Sequence, residues 1–355
     1  MTAQCVGRFY QTDGKYLQRS YKEHLSDFES WDQKGHASDW VLLEQNMGKR
    51  LSIDETMLHN DLFTFLSNKE GHGKKGSLIA AVKGTTVAEV TRHLLKIPED
   101  QRNAVEEVTL DFSDSMLGIV STAFPKAEKI IDCFHIMQLA GKGLEEMRMK
   151  MKRAARTEQN RQEREFKHKQ QQRSKNRARY AKSHKPKKSK NGKKLGRPRI
   201  GRKNAKFEPE KLSNGETKTD LLTHVRYPLV KSSVDWTEFQ KKEMKLLFEM
   251  NKRIQKAYGL VCHLRNIFKT KQDRVKAQAA LEKWCKCVSK SHIRELISVR
   301  DTILSKVEYV LNYFNNRSTN ASAESLNAKM KGFRAQVHGV SDLPFFMYRM
   351  TKIFG

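Results

Sequence analysis

The chain has 355 residues, enough for two or three domains, with 37% hydrophobic and 31% charged residues. Lys and Arg number 69 against 40 Asp and Glu, a formal charge of +29. So large an excess repels itself in the folded state and is relieved by a polyanion, which makes nucleic acid the first partner to consider. An anionic membrane surface is the rival, but no apolar run approaches the ~20 residues of a spanning helix. Met1 to Arg8 lacks the apolar core of a signal peptide, and the expected setting is the cytosol. Five cysteines at irregular spacing (5, 133, 262, 285 and 287) make a poor disulfide framework. Cys262, His263, Cys285 and Cys287 can be read as a zinc set. Cys285 and Cys287, however, stand two apart in a predicted helix and face different ways, so reduced thiols at packed positions are the simpler reading.

Residues 1–48 intersperse charged and aromatic residues (Tyr16, Tyr21, Phe28, Trp31) and give no confident element. From Lys49 three short strands are predicted: Arg50 to Ile53 ending in Asp54, Leu62 to Leu66, and Ser77 to Val82, punctuated by glycines. Thr85 to Leu95 has helical spacing of apolar residues with a threonine cap. Glu107 to Leu110 is a fourth strand ending in Asp111. Ser115 to Phe124 is a helix stopped by Pro125, and Lys129 to Ile131 is a fifth strand ending in Asp132. A strand meander followed by crossover connections indicates a mixed α/β domain. Residues 148–206 hold 25 Lys and Arg against three Glu, a net +22. Arg148 to Tyr180 is helix-compatible, and Ser183 to Lys206, with its Gly and Pro, reads as a flexible loop. Thr219 to Val310 returns to helical periodicity, with Leu246, Leu247, Met250, Ile254, Tyr258 and Val261 as one core stripe. A polar turn at Asn315 to Asn320 then leads into a helix bearing Glu324, and the chain finishes with Phe345, Phe346 and Tyr348.

Three acids stand at telling places. Asp54 ends the first predicted strand, Asp111 ends the fourth, and Glu324 lies near the start of a late helix. In this order the first and fourth strands can lie side by side, so that their terminal carboxylates meet and a packing helix adds a third. Hard divalent cations need clustered oxygen ligands. Two such ions about 4 Å apart stabilise both oxygens of a phosphoryl displacement. Acids at strand ends and helix starts also cap turns and helices, so placement alone leaves a purely structural reading open.

At these residues the sequence resembles a known family. Leu51-Ser-Ile-Asp54-Glu55-Thr, Val108-Thr-Leu-Asp111-Phe-Ser, Phe124-Pro-Lys-Ala127 followed by Ile131-Asp132-Cys-Phe-His135, and Asn320-Ala-Ser-Ala-Glu324-Ser-Leu-Asn327-Ala-Lys329-Met-Lys331 are similar to insertion-sequence DDE transposases. The group they resemble is the ISL-three family, itself a more distant relative of the Mutator-like transposases. The resemblance runs from about residue 49 to 355, and its specificity lies in the order and spacing of weak motifs. It implies a ribonuclease-H-like α/β fold interrupted by a basic all-α insertion. The catalytic domain would span 49–147 and 311–355, with the insertion over 148–310 and its flexible loop near 183–206. It also implies Mg²⁺ (or Mn²⁺) dependent strand cleavage and strand transfer. Asp54 and Asp111 match the first two metal-binding carboxylates and Glu324 the third. Asp132 and His135 match the family's acid-x-x-His element. Asp132 also follows an apolar strand and competes with Asp111 for the second position; Asp111 is preferred because the fourth strand is the one expected beside the first.

The implied partners are DNA, as transposon ends and target, and a second copy of the chain in a homo-oligomer on DNA. The implied location is cytoplasmic and nucleoid-associated. Relatives carry a cysteine-rich zinc segment and a helix-turn-helix ahead of the catalytic domain, whereas only Cys5 precedes Asp54 here. The expectation is either a separate end-recognition polypeptide or a shortened copy. In the basic segment, Lys193, Lys194, Arg197 and Arg199 surround a Gly-Arg-Pro resembling the core of minor-groove AT-hook peptides, where arginine meets enhanced negative potential. Lys329 and Lys331 are further candidate phosphate contacts. Two alternatives stand beside the transposase: a structure-specific nuclease on the same fold, and a non-catalytic DNA-binding protein in which the basic segment supplies the function.

Overall fold

A computed structural model describes residues 3–58, 60–183, 206–337, 340 and 342–355. Six strands form one mixed sheet: β1 (Trp40–Leu42), β2 (Arg50–Leu58), β3 (Asp61–Asn68), β4 (Leu78–Lys83), β5 (Glu107–Leu110) and β6 (Glu128–Ile131). Their order across the sheet is β1-β4-β3-β2-β5-β6. β2, β3 and β4 are an antiparallel meander, and β5 and β6 add to β2 in parallel. Parallel neighbours need crossovers, which here are the helices between β4 and β5 and between β5 and β6.

The helices in chain order are α1 (Ala3–Phe9), α2 (Gly14–Ser20), α3 (Val87–Leu94), α4 (Glu99–Asn103), α5 (Asp114–Ala123), α6 (Cys133–Ser183), α7 (Lys218–His224) and α8 (Arg226–Val230). They continue with α9 (Glu238–Met250), α10 (Lys252–Lys269), α11 (Arg274–Ser291), α12 (Arg294–Ser305), α13 (Val307–Leu311), α14 (Tyr313–Asn316), α15 (Ala321–Gln336) and α16 (Leu343–Phe354). The chain divides into two compact units. One comprises 1–139, 264–286 and 300–355, and the other 140–263 and 287–299. The boundaries of these units differ from the sequence-based divisions at 148 and 310.

In the first unit the sheet is covered on both faces. On one, Leu51, Ile53, Val108 and Leu110 pack with Val90 and Leu94 of α3 and Ile119 and Val120 of α5. On the other, Phe63, Phe65, Leu78 and Ala81 pack with Leu326 and Met330 of α15 and Phe346, Met347 and Met350 of α16. The aromatic end of the chain is therefore core. Residues 21–42, which carried no clear signal, are held by the same helix. Phe28, Phe345 and Tyr348 form a buried aromatic cluster flanked by Trp31. Trp40 on β1 stacks on His36 at 3.6 Å and on His93 at 4.9 Å, closing the edge beyond β4.

Asp27 fastens this N-terminal segment to α16, accepting from Lys352 Nζ at 2.6 Å and from Tyr348 Oη. Those hydrogen bonds, Lys352's first, hold its carboxyl down to about 2. A folded value below the unfolded one means that the stabilisation is complete above about pH 4 and fades as pH falls toward 2. Asp27→Asn should accordingly cost stability at neutral pH, and the gap to the parent in urea denaturation should narrow between about pH 4 and pH 2. A gap unchanged over that range would mean that the contact is not made.

The second unit is helical. α6 runs for 51 residues, roughly 75 Å at 1.5 Å per residue, so the basic helix expected from 148 starts at Cys133. Its outer turns carry exposed pairs such as Arg161 with Glu158 and Lys167 with Glu163, which solvent screening leaves weak. The stripe over 246–261 is shared by two helices, because the chain breaks at Asn251, whose Oδ1 accepts from the backbone N–H of Arg253 and Ile254. Leu247, Ile254, Tyr258 and Val261 are core, while Met250 is exposed. Residues 184–205, with Lys193, Lys194, Arg197 and Arg199, lie outside the described residues.

Candidate active site

The sheet register lines up three aspartates. Ser52 pairs with Thr109 across β2 and β5, so two residues further on Asp54 comes level with Asp111. Leu110 pairs with Ile131 across β5 and β6, bringing Asp111 level with Asp132. Residues level on parallel neighbours share a face, with strands about 4.8 Å apart. Asp54 is not at a strand end, as its sequence suggested. β2 continues to Leu58 because β3 pairs with it all the way to Leu58↔Asp61, and Thr56 and Leu58 return to the interior. The strand beside β2 is β5, and β6 lies one strand further out.

Asp54 is half-buried. Its Oδ1 accepts from the Glu55 backbone N–H at 2.8 Å, and its Oδ2 accepts from Asn327 Nδ2 of α15. Burial pushes the Asp54 carboxyl up to about 6, with the charge of Asp111 adding to the rise and that of Glu324 adding less. Asp111 Oδ1 lies 2.7 Å from His135 Nε2 and 3.5 Å from Asn320 Nδ2. The bond to Asp111 raises the His135 pKa against the opposing effect of burial, with Asp111, Asp132 and Asp54 charges assisting. Asp132 is buried, which raises its carboxyl, and its Oδ1 accepts from the Phe134 N–H at 3.2 Å in the first turn of α6. Asp132 thus caps the helix that carries His135.

Glu324 is exposed in the first turn of α15. Asn320, Glu324 and Asn327 stand at i, i+4 and i+7, which is one helical face. This Asn-x3-Glu-x2-Asn spacing is the sequence signal that could have found Asn320 and Asn327. Gly73 lets the β3–β4 turn approach this helix. Its φ of +69° is left-handed, and a Cβ there would lie 2.9 Å from Ser325 Oγ and 3.0 Å from the Leu326 N–H nitrogen. Lys329 spends its ammonium on the carbonyl of Gly73 at 2.8 Å, whereas Lys331 is exposed.

The β3–β4 connection is tied to β5 by a buried ion pair that the sequence did not reveal, and the loop before α15 bonds to its carboxylate. Lys69 Nζ lies 3.0 Å from Glu107 Oε1 and also donates to Thr109 Oγ1; the two side chains are 13% and 3% exposed. Ser318 Oγ donates to Glu107 at 2.5 Å and Asn316 Nδ2 at 3.3 Å. Burial would raise the Glu107 carboxyl, but bonds from Ser318 and Lys69 bring it below its usual value. Arg317, left-handed at φ 52°, donates to the carbonyls of Phe268 and Thr270 at 2.7 and 2.9 Å. Removing one partner of a buried pair strands the other. Lys69→Met should therefore destabilise by about 3 kcal/mol in urea denaturation, and adding Glu107→Gln should recover part of the loss. A neutral Lys69→Met would show the pair to be solvated.

The donor set suits a hard divalent cation: three carboxylates, one of them held up by burial and by the charge of its neighbours. Beside them Asn320, 1% exposed, has an Oδ1 without a hydrogen-bond partner among the described residues. The three carboxylates do not crowd one point. Among the described residues the group of acids and histidine whose ligand atoms lie within 4.8 Å of one another is Glu216, His224 and Glu243, elsewhere in the chain. Ligands shared by two ions about 4 Å apart spread more widely than ligands of one ion. The five cysteines are unbridged, and none falls in such a group among the described residues.

A mixed sheet with aspartates following adjacent parallel strands, and a helix adding a further acid, marks a mixed α/β protein with acids gathered beside its sheet. The family model for transposases of the ISL-three DDE group matches residues 51–350, and the chain belongs to that family. No curated protein and no solved structure matches it. DNA is therefore its partner. Among the described residues no helix is long and apolar enough to cross a membrane.

Proposed function

We propose that this transposase cleaves and joins DNA at insertion-sequence ends by DDE chemistry, with Asp54, Asp111 and Glu324 as its catalytic carboxylates. The observation that carries this reading is the parallel register of β2 and β5, which from Ser52↔Thr109 brings Asp54 alongside Asp111 just past the end of β5, with the charge of Glu324 acting on Asp54 from α15. The order β4-β3-β2-β5-β6, a meander extended by two parallel strands, supports a ribonuclease-H-like domain. β1 is then an added edge strand, and the helical second unit the insertion.

Asp54, Asp111 and Glu324 would hold Mg²⁺ or Mn²⁺. When bound, such ions neutralise charge on the attacking and leaving oxygens of a phosphoryl displacement. The chain's own residues prepare that site. Asn327 fixes the rotamer of Asp54 through Oδ2. His135 orients Asp111 through Oδ1, a bond that raises the pKa of its imidazole. Asp132 holds the start of α6, and with it His135. Lys331 and the basic segment attract phosphates without reading bases. Assembly as a homo-oligomer on DNA completes the proposal.

The test uses a labelled duplex carrying the DNA that flanks the gene on either side, a target plasmid and Mg²⁺. The proposal expects nicked ends and then label covalently joined to the plasmid. Nicking without joining would make the protein a nuclease, and binding with neither would make it a non-catalytic DNA-binding protein.

A further inference from the structure

We propose that Glu216, His224 and Glu243 form a site for one divalent transition-metal ion in the helical unit, zinc being the best chemical match. Glu216 lies within a short hairpin closed by the Lys211–Thr217 bridge, with Gly215 turning the chain at φ +84°. His224 ends α7, and Glu243 lies on the inner face of α9.

The geometry is that of a ligand set. His224 Nδ1 lies 3.1 Å from Glu216 Oε1 and 3.3 Å from Glu243 Oε1, and the three ligand atoms are all within 4.8 Å of one another. Tetrahedral zinc with bonds of about 2.0–2.1 Å sets its ligand atoms about 3.3 Å apart.

Glu243 makes the independent case. Its side chain is 2% exposed, yet among the described residues its Oε1 makes no hydrogen bond, facing at 3.3 Å a His224 Nδ1 that bonds Glu216 instead. A carboxylate so placed costs several kcal/mol unless it is paired or coordinated. A single imidazole N–H at Nδ1 cannot serve two carboxylates. Burial, and then the charge of Glu216, push the Glu243 carboxyl above its usual value, and a dication would relieve both effects. Asn214 Nδ2 holds the other oxygen of Glu216 at 3.2 Å, an outer contact of the kind that orients a ligand. An imidazole among two carboxylates disfavours Mg²⁺ and Ca²⁺ and favours zinc or a first-row neighbour. His224 is 47% exposed, so a fourth position is open to water. Such an ion would clip the hairpin, α7 and α9 together, contributing folding free energy.

The test takes the full chain carrying Asp54→Ala and Glu324→Ala, so that the aspartate row does not compete. The metal-free protein is titrated with Zn²⁺ by calorimetry and with Co²⁺ by absorption. One Zn²⁺ per chain, and Co²⁺ d–d bands of tetrahedral intensity, are expected. His224→Ala and Glu216→Ala, at partly exposed positions, should keep the far-ultraviolet circular dichroism. They should weaken Zn²⁺ binding by at least about 100-fold, more than an outer-sphere loss costs. Glu243→Gln should lose Zn²⁺ yet unfold no earlier than the metal-free parent, because the amide removes a buried charge. Failure of the parent to take up Zn²⁺ at micromolar concentration, or equal affinity in parent, His224→Ala and Glu243→Gln, would overturn the proposal.

Discussion

Asp54→Ala should abolish metal-dependent strand cleavage while leaving DNA affinity intact or raised. The substitution removes a ligand from the site but also a negative charge facing phosphates. Loss of several kcal/mol of transition-state stabilisation corresponds to about 10³-fold in rate. Affinity has no reason to fall, since phosphate binding depends on cationic groups. Glu324→Ala should behave alike, and because Glu324 is exposed its loss leaves the core untouched. Filter binding and single-turnover cleavage on the same preparations separate the two effects. Unchanged cleavage in both variants would remove the enzymatic reading, and equal loss of binding and cleavage would indicate misfolding.

The second large effect concerns charge without chemistry. Neutralising Lys193, Lys194, Arg197 and Arg199 together should weaken DNA binding across sequences. It should also flatten the salt dependence by up to about 0.9 log units for each phosphate that is no longer neutralised. Cleavage at saturating DNA should survive, because these residues lie more than 50 positions from any of the three acids in sequence and hold no ligand in the proposal. An unchanged salt slope would show that the segment does not touch phosphates. A loss confined to A·T-rich DNA would favour minor-groove insertion by the Gly-Arg-Pro element over general attraction.

Strand and helix identities in the sheet domain were legible because each element carries its own period and cap. Thr86 caps α3 at Glu89 as its position suggested, and β5 falls on the predicted Glu107 to Leu110. The neighbourhood of the first and fourth predicted strands was legible from connection order alone. The length of β2 was not, because Asp54-Glu55-Thr56 looks like a strand end until a partner strand supplies its hydrogen bonds. Nor was β1, whose edge position depends on stacking around Trp40 and on α16 some 300 residues later in the chain. The neighbours of the aspartates were hidden for a related reason. Asn327 acquires meaning only once α15 is laid on β2, and Lys69 with Glu107 is a pair 38 residues apart. In the helical unit the metal reading was sought at the cysteines. Glu216, His224 and Glu243 have no motif spacing, and only the fold brings them together.

The central claim, that Asp54, Asp111 and Glu324 hold divalent ions, can be read directly from the chain itself. Fe²⁺ substituted for Mg²⁺ in the DNA-bound protein, with ascorbate and peroxide, releases hydroxyl radicals that cut the main chain close to the ion. Mass spectrometry of the fragments should show cuts beside residues 54, 111 and 324, suppressed by excess Mg²⁺ and absent in Asp54→Ala. Cuts beside 132 with none near 54 or 324, or cuts that Mg²⁺ does not suppress, would contradict the assignment.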